Sequence, residues 1–161
     1  MAKETGSKKV LLDQMKSITE KYSLTPDYLF VKETRGGEKM YIIINRAGID
    51  KLEMHIQNPD REDGEPAIVM WDTLKLEESY VYLRFRIFEG GALKVDTTGE
   101  ASLDNVDGKG KYILAMAEKR GRSRAILKYL GLYDDVKGED ESPEFEKNAK
   151  GGKNARTAIK E

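Results

Sequence analysis

The segment Tyr80-Val-Tyr-Leu-Arg-Phe-Arg-Ile-Phe88 constrains the fold more than any other part of this chain. Side chains on a strand alternate between two faces. Val81, Leu83, Phe85 and Ile87 therefore share one wholly apolar face, while Tyr80, Tyr82, Arg84, Arg86 and Phe88 share the other. A helix would scatter both sets around its circumference, so the run has to be a strand with one face in a core. Glu89-Gly90-Gly91 then supplies a tight turn into a second β-rich run over 92–98, which makes the two strands antiparallel neighbours.

The remaining elements follow from the same periodicities. Residues 66–73 read as a further strand, with Trp71 in the core. Residues 28–31 and 40–45 are β-rich runs around Gly36-Gly37, a second hairpin. Residues 8–22 and 47–56 carry apolar side chains at helical spacing, and Pro26 follows the first of them. From about 109 to 130 the pattern is helical again and ends at Gly131, a natural residue just past a helix end. With 161 residues, 39% of them hydrophobic, one core is expected. The fold class is α+β: an antiparallel sheet packed against a long C-terminal helix, a β-β-β-α core with an N-terminal hairpin and short helices, over residues 1–133. Residues 134–147 hold seven acids and two lysines, and a basic, glycine-containing stretch follows. Residues 134–161 therefore read as a charged, disordered tail.

Several classes of chemistry drop out. No cysteine is present, so no disulfide framework, thiolate metal site or thiol nucleophile is available. No run nears the roughly 18 apolar residues that span a bilayer, and the first residues lack an apolar leader. The expectation is a soluble, cytoplasmic protein without a membrane partner. His55 has no second histidine to share a zinc ion, and no GxxxxGK[ST] phosphate loop occurs. Asp96, Glu100, Asp104 and Asp107 suggest a magnesium nuclease only weakly, because no lysine or histidine stands where a base is needed. Neither an enzyme nor a cofactor is expected.

Two features point to nucleic acid. A net charge of −1 argues against it in bulk, but a phosphate backbone responds to local patches. The segment Gly108–Lys128 carries Lys109, Lys111, Lys119, Arg120, Arg122, Arg124 and Lys128 against Glu118 alone, with Arg120, Arg124 and Lys128 in one helical stripe. Cations at that spacing repel one another unless an anion lies between them; the plainer possibility is pairing with acids elsewhere in the fold. The second feature is the strand face bearing Tyr80, Tyr82, Arg84, Arg86 and Phe88, which suits bases stacked on rings beside guanidinium-held phosphates. An ordinary solvated sheet face explains it equally well.

The stretches GGEKMYIIINRAGIDKLEMHI and TGEASLDNVDGKGKYILAMAEKRGRSRAILKYLGLYDD resemble the Rad-fifty-two-like single-strand annealing proteins, with their RecT, Redβ and Erf relatives. The likeness is carried by Gly99 and Ser102 in a turn, then Ala117-Glu118, Arg124-Ala125 and Gly131 in a signature helix. It departs from the pattern at Gly121, where alanine is usual and a kink would follow, and at Leu132-Tyr133. The resemblance implies a ring or filament of copies holding single-stranded DNA in a basic groove and annealing it without ATP, alongside a recombination nuclease that the acidic tail could recruit. Arg124 is the backbone contact it implies. The alternative is a monomeric sheet-surface module of the RRM or OB kind, binding RNA or single-stranded DNA through Tyr80, Tyr82 and Phe88.

Overall fold

The structure, a computed structural model, describes residues 2–33, 40–104, 106 and 112–141. In chain order the elements are α1 (Ala2–Lys21), β1 (Leu29–Glu33), β2 (Met40–Ile44), α2 (Arg46–Gln57), β3 (Ala67–Leu76), β4 (Tyr80–Glu89), β5 (Ala92–Ser102), α3 (Ile113–Tyr129) and β6 (Val136–Gly138). They form two three-stranded sheets, ordered β1-β2-β6 and β3-β4-β5. The first is antiparallel from β1 to β2 and parallel from β2 to β6; the second is antiparallel throughout. The class is α+β, and β3-β4-β5-α3 is its β-β-β-α unit.

Strand β4 alternates as its sequence demands. Val81, Leu83, Phe85 and Ile87 are buried, and the residues between them are partly exposed. Phe85 pairs with Trp71 on one side and Thr97 on the other, and α3 lies across the apolar face of β4 and β5. Each such large side chain removed from water contributes about 1.5–3 kcal/mol. At its start, α2 is capped by Asn45, whose side chain accepts from the Gly48 amide at 2.9 Å. Its Ile49, Leu52 and Ile56 then face the core.

At the crossing of α3 and β5 the two backbones touch. A Cβ placed on Gly99 would lie 2.2 Å from the Ala117 carbonyl oxygen and 2.4 Å from the Gly121 nitrogen; one on Gly121 would lie 2.2 Å from Phe85. Glycine at both positions is what lets a helix sit this close to a strand. Helix α3 consequently runs unbroken through Gly121 instead of kinking there, and Gly99–Ser102 belongs to β5 instead of a turn.

Two further expectations are corrected. Trp71 is 48% exposed, because α3 covers β4 and β5 and leaves β3 bare beyond its first residues, Ala67 to Val69. The ordered chain also continues past 133: β6 pairs with β2, and Glu139–Glu141 forms a 3-10 turn against α3. Val136 is fully buried, which anchors this segment to the core. The Gly36-Gly37 turn and residues 142–161 lie outside the described residues.

Candidate nucleic-acid interface

The arginines of α3 turn inward. Arg120 is 7% exposed and donates to the Glu100 carbonyl at 3.0 Å and the Asp140 carbonyl at 3.2 Å. Arg124 donates to the Thr98 carbonyl at 2.5 Å and to Glu141 Oε1 at 2.7 Å. Thr98 and Glu100 belong to the edge strand β5, so these guanidinium groups finish the outer edge of the sheet. Arg122 makes ion-pair contacts with Glu118 at 2.8 Å and Glu53 at 3.4 Å. Burial pushes the carboxyls of Glu141, Asp140 and Glu53 above the usual range, with the neighbouring cations opposing the shift. Lys119, half-buried, acts on Asp140 in that opposing sense. Of the stripe expected to face outward, Arg120 and Arg124 are thus internal struts, and the neighbouring Arg122 is paired within the fold as well. Asp140 and Glu141, expected in a recruiting tail, face α3. Lys109 and Lys111 lie outside the described residues.

The strand face is also self-satisfied. Arg84 pairs with Asp96 and Arg86 with Asp72, both across neighbouring strands. Tyr80 donates to Glu100 at 3.4 Å, and its ring lies 6.3 Å from that of Tyr82. Opposite charges placed across strands hold a sheet together and leave a nearly neutral surface. Asp96 and Glu100 therefore serve Arg84 and Tyr80, and no cluster of three metal-ligating side chains occurs among the described residues.

A different group of cations converges at the other end of α3. A cleft of about 410 Å³ is lined by Lys21 and Tyr22 from the end of α1, Arg61 and Asp63, Glu89, Lys94 and Val95 around the β4–β5 turn, and Lys128, Tyr129 and Leu130. Its carboxylates are engaged at the floor. Arg61, its side chain 4% exposed, holds Asp63 at 2.8 Å and donates to the Tyr129 hydroxyl at 3.0 Å. That hydroxyl donates in turn to Glu89; removal from water, then Glu89, raises its pKa, so it stays neutral. The lysines remain. Lys21 lies over the Tyr22 ring at 5.2 Å, and Lys128 donates to Thr97 Oγ1 at 3.1 Å beside the Tyr133 ring. Among the described residues none of Lys21, Lys94 and Lys128 has a carboxylate partner.

Lys94 reaches the cleft because of a bulge. Ile87 pairs with Val95 and Phe88 with Leu93, which leaves Lys94 as the extra residue. Bulges re-aim side chains in this way. Of the residues singled out in sequence, only Lys128 is in the cleft. Lys21, Arg61 and Lys94 are added by the structure, and no local signal joins them, since they come from three separate segments.

His55 lies behind the cleft, facing Asp63 at 3.0 Å with its ring edge on Tyr22. The hydrogen bond with His55, followed by that from Arg61, lowers the Asp63 carboxyl from 3.8 to about 2. A carboxylate depressed in the folded state stabilises it above the unfolded pKa and loses that contribution as pH falls. Urea midpoints should therefore drop between about pH 4 and about pH 2, and Asp63→Asn should flatten that part of the profile. An unchanged profile would remove Asp63 from the floor's electrostatics.

Comparison with protein-family models, curated proteins and solved structures finds no match to this chain. No helix among the described residues is long and apolar enough to cross a membrane.

Proposed function

We propose that the chain binds single-stranded DNA through the lysine cleft between the end of α1, the β4–β5 turn and the end of α3, and that it anneals complementary strands without ATP. The observation that carries the binding is the convergence of Lys21, Lys94 and Lys128, with Arg61, on a cleft lined by two carboxylates, Asp63 held by Arg61 and His55, and Glu89 accepting from Tyr129. Such a site leaves positive charge with no internal counterpart, which a phosphate backbone supplies. Annealing rests on the likeness to the Rad-fifty-two-like proteins, whose β-β-β-α order is also that of β3, β4, β5 and α3. Assembly of several copies and cooperation with a recombination nuclease belong to the same reading.

Two complementary labelled oligonucleotides, mixed with the protein in the absence of nucleotide and metal, test it. Duplex formation faster than the spontaneous rate is the expected result. Binding without acceleration would leave a plain single-strand binding module, and cleavage on addition of magnesium would replace annealing by nuclease chemistry.

A further inference from the structure

The two edges of the β3-β4-β5 sheet differ. At β5 the outward carbonyls of Thr98 and Glu100 are occupied by Arg124 and Arg120. Strand β3 has no such cover, and no strand pairs with its outer edge among the described residues. It also exposes apolar side chains on both faces. Ile68, 62% exposed, and Met70 lie on the outer face; Trp71 and Leu76, 63% exposed, lie on the inner one, beyond the reach of α3. A long bare edge with apolar flanks is a template for strand addition.

The register identifies what can be added. In a regular strand Asp72 and Lys75 would point to opposite faces, as would Trp71 and Leu76. Here a shift between Thr73 and Lys75 sets Lys75 opposite Tyr82 and Leu76 opposite Val81, while Asp72 stays opposite Arg84 and Trp71 opposite Phe85. Asp72 and Lys75 therefore share the outer face, and Trp71 and Leu76 share the inner face. Consider an antiparallel second copy of β3 related by a two-fold axis between Thr73 and Leu74. Each Asp72 then stands beside Lys75 of the second copy, and each Trp71 beside its Leu76, with both of these pairs on a common face. A regular strand folded on that axis would oppose residues of different faces. The bulge thus makes β3 complementary to itself.

We propose that the β3 edge is an interface through which two copies of this chain join into one continuous sheet. The contact is isologous and closes on itself. The capped β5 edge turns away the head-to-tail alternative. The interface is independent of nucleic-acid binding, since no residue lining the lysine cleft belongs to β3.

Trp71 is the only tryptophan in the chain, so its emission reports on this surface. Sedimentation equilibrium and fluorescence of the full chain over a concentration series should show mass rising to at least twice 18.2 kDa while the emission moves to the blue. Lys75→Asp places like charges together on both sides of the axis and should weaken dimerisation by about tenfold; the exchange Asp72→Lys with Lys75→Asp, which gives up the Asp72–Arg86 pair, should restore part of it. Leu76→Glu, at an exposed position, should leave the fold intact and the chain single. Three results would overturn the interface: the single-chain mass at every concentration, an assembly of any size indifferent to both Lys75→Asp and Leu76→Glu, or blue emission at single-chain mass, which would place a segment of the same chain over Trp71.

Discussion

Gly121→Ala should destabilise the domain by about 3 kcal/mol, the overpacking scale for a site that cannot relax. Helix propensity alone predicts the opposite sign, a gain of about 1 kcal/mol from replacing glycine inside a helix. Packing decides the outcome. The new methyl would sit 2.2 Å and 2.3 Å from two ring carbons of Phe85 and 3.0 Å from the Gly99 Cα. Phe85 is wholly buried and paired on both sides, so its ring has nowhere to go. Helix α3 would have to lift off β5, stretching the bonds from Arg120 and Arg124 to the strand carbonyls. Against a total stability of about 5–15 kcal/mol, that is a large loss, visible as a drop in thermal and urea midpoints. A neutral or stabilising result would mean that α3 and β5 are not in backbone contact.

Arg124→Ala should cost a similar amount, about 3 kcal/mol, as expected when one partner of a largely buried pair is removed. The Thr98 carbonyl loses its donor, and Glu141, its side chain 6% exposed, loses its counter-charge. Burial already raises the Glu141 carboxyl, and without Arg124 it rises further. A carboxyl whose folded pKa lies above its unfolded value binds its proton more tightly when folded, so acid favours the folded state. The variant should therefore recover part of its lost stability as pH falls from 7 towards about 5, which the parent chain should not do to the same extent. Arg124→Lys should rescue little, because one ammonium cannot span both the strand carbonyl and Glu141 as a guanidinium does. Equal urea midpoints for the parent and Arg124→Ala would return this residue to the surface role its sequence suggests.

These two positions also mark what the sequence discloses. Strand β4, the turn after it and the helix that follows are legible because a period of two, a Gly-Gly pair and a period of 3.6 are local signals. Gly121 is visible as an oddity, but its reason is a strand twenty-two residues upstream, at Gly99. The direction of the arginines is hidden for the same kind of reason. A run of cations does not name its partners, and the Asp140 carbonyl that takes Arg120 and the Glu141 carboxylate that takes Arg124 lie beyond the turn at Gly131, brought back only because β6 pairs with β2. Trp71 lies on a strand, as its neighbours demand, but outside the core, since strand periodicity gives a face but not the width of the helix that covers it. The cleft is the least legible feature of all: Lys21, Arg61, Lys94 and Lys128 meet only once the helix ends and the β4–β5 turn are assembled.

Binding of a labelled oligothymidylate across a salt series, to the parent chain and to the combined variant Lys21→Ala, Lys94→Ala and Lys128→Ala, tests the cleft most directly. The parent should bind with an affinity that falls linearly in log salt, and the variant should bind about a hundredfold more weakly at low salt with a slope shallower by about 2, roughly 0.7 for each phosphate contact removed. Identical affinity and slope in a folded variant, or no salt-dependent binding by the parent, would contradict it.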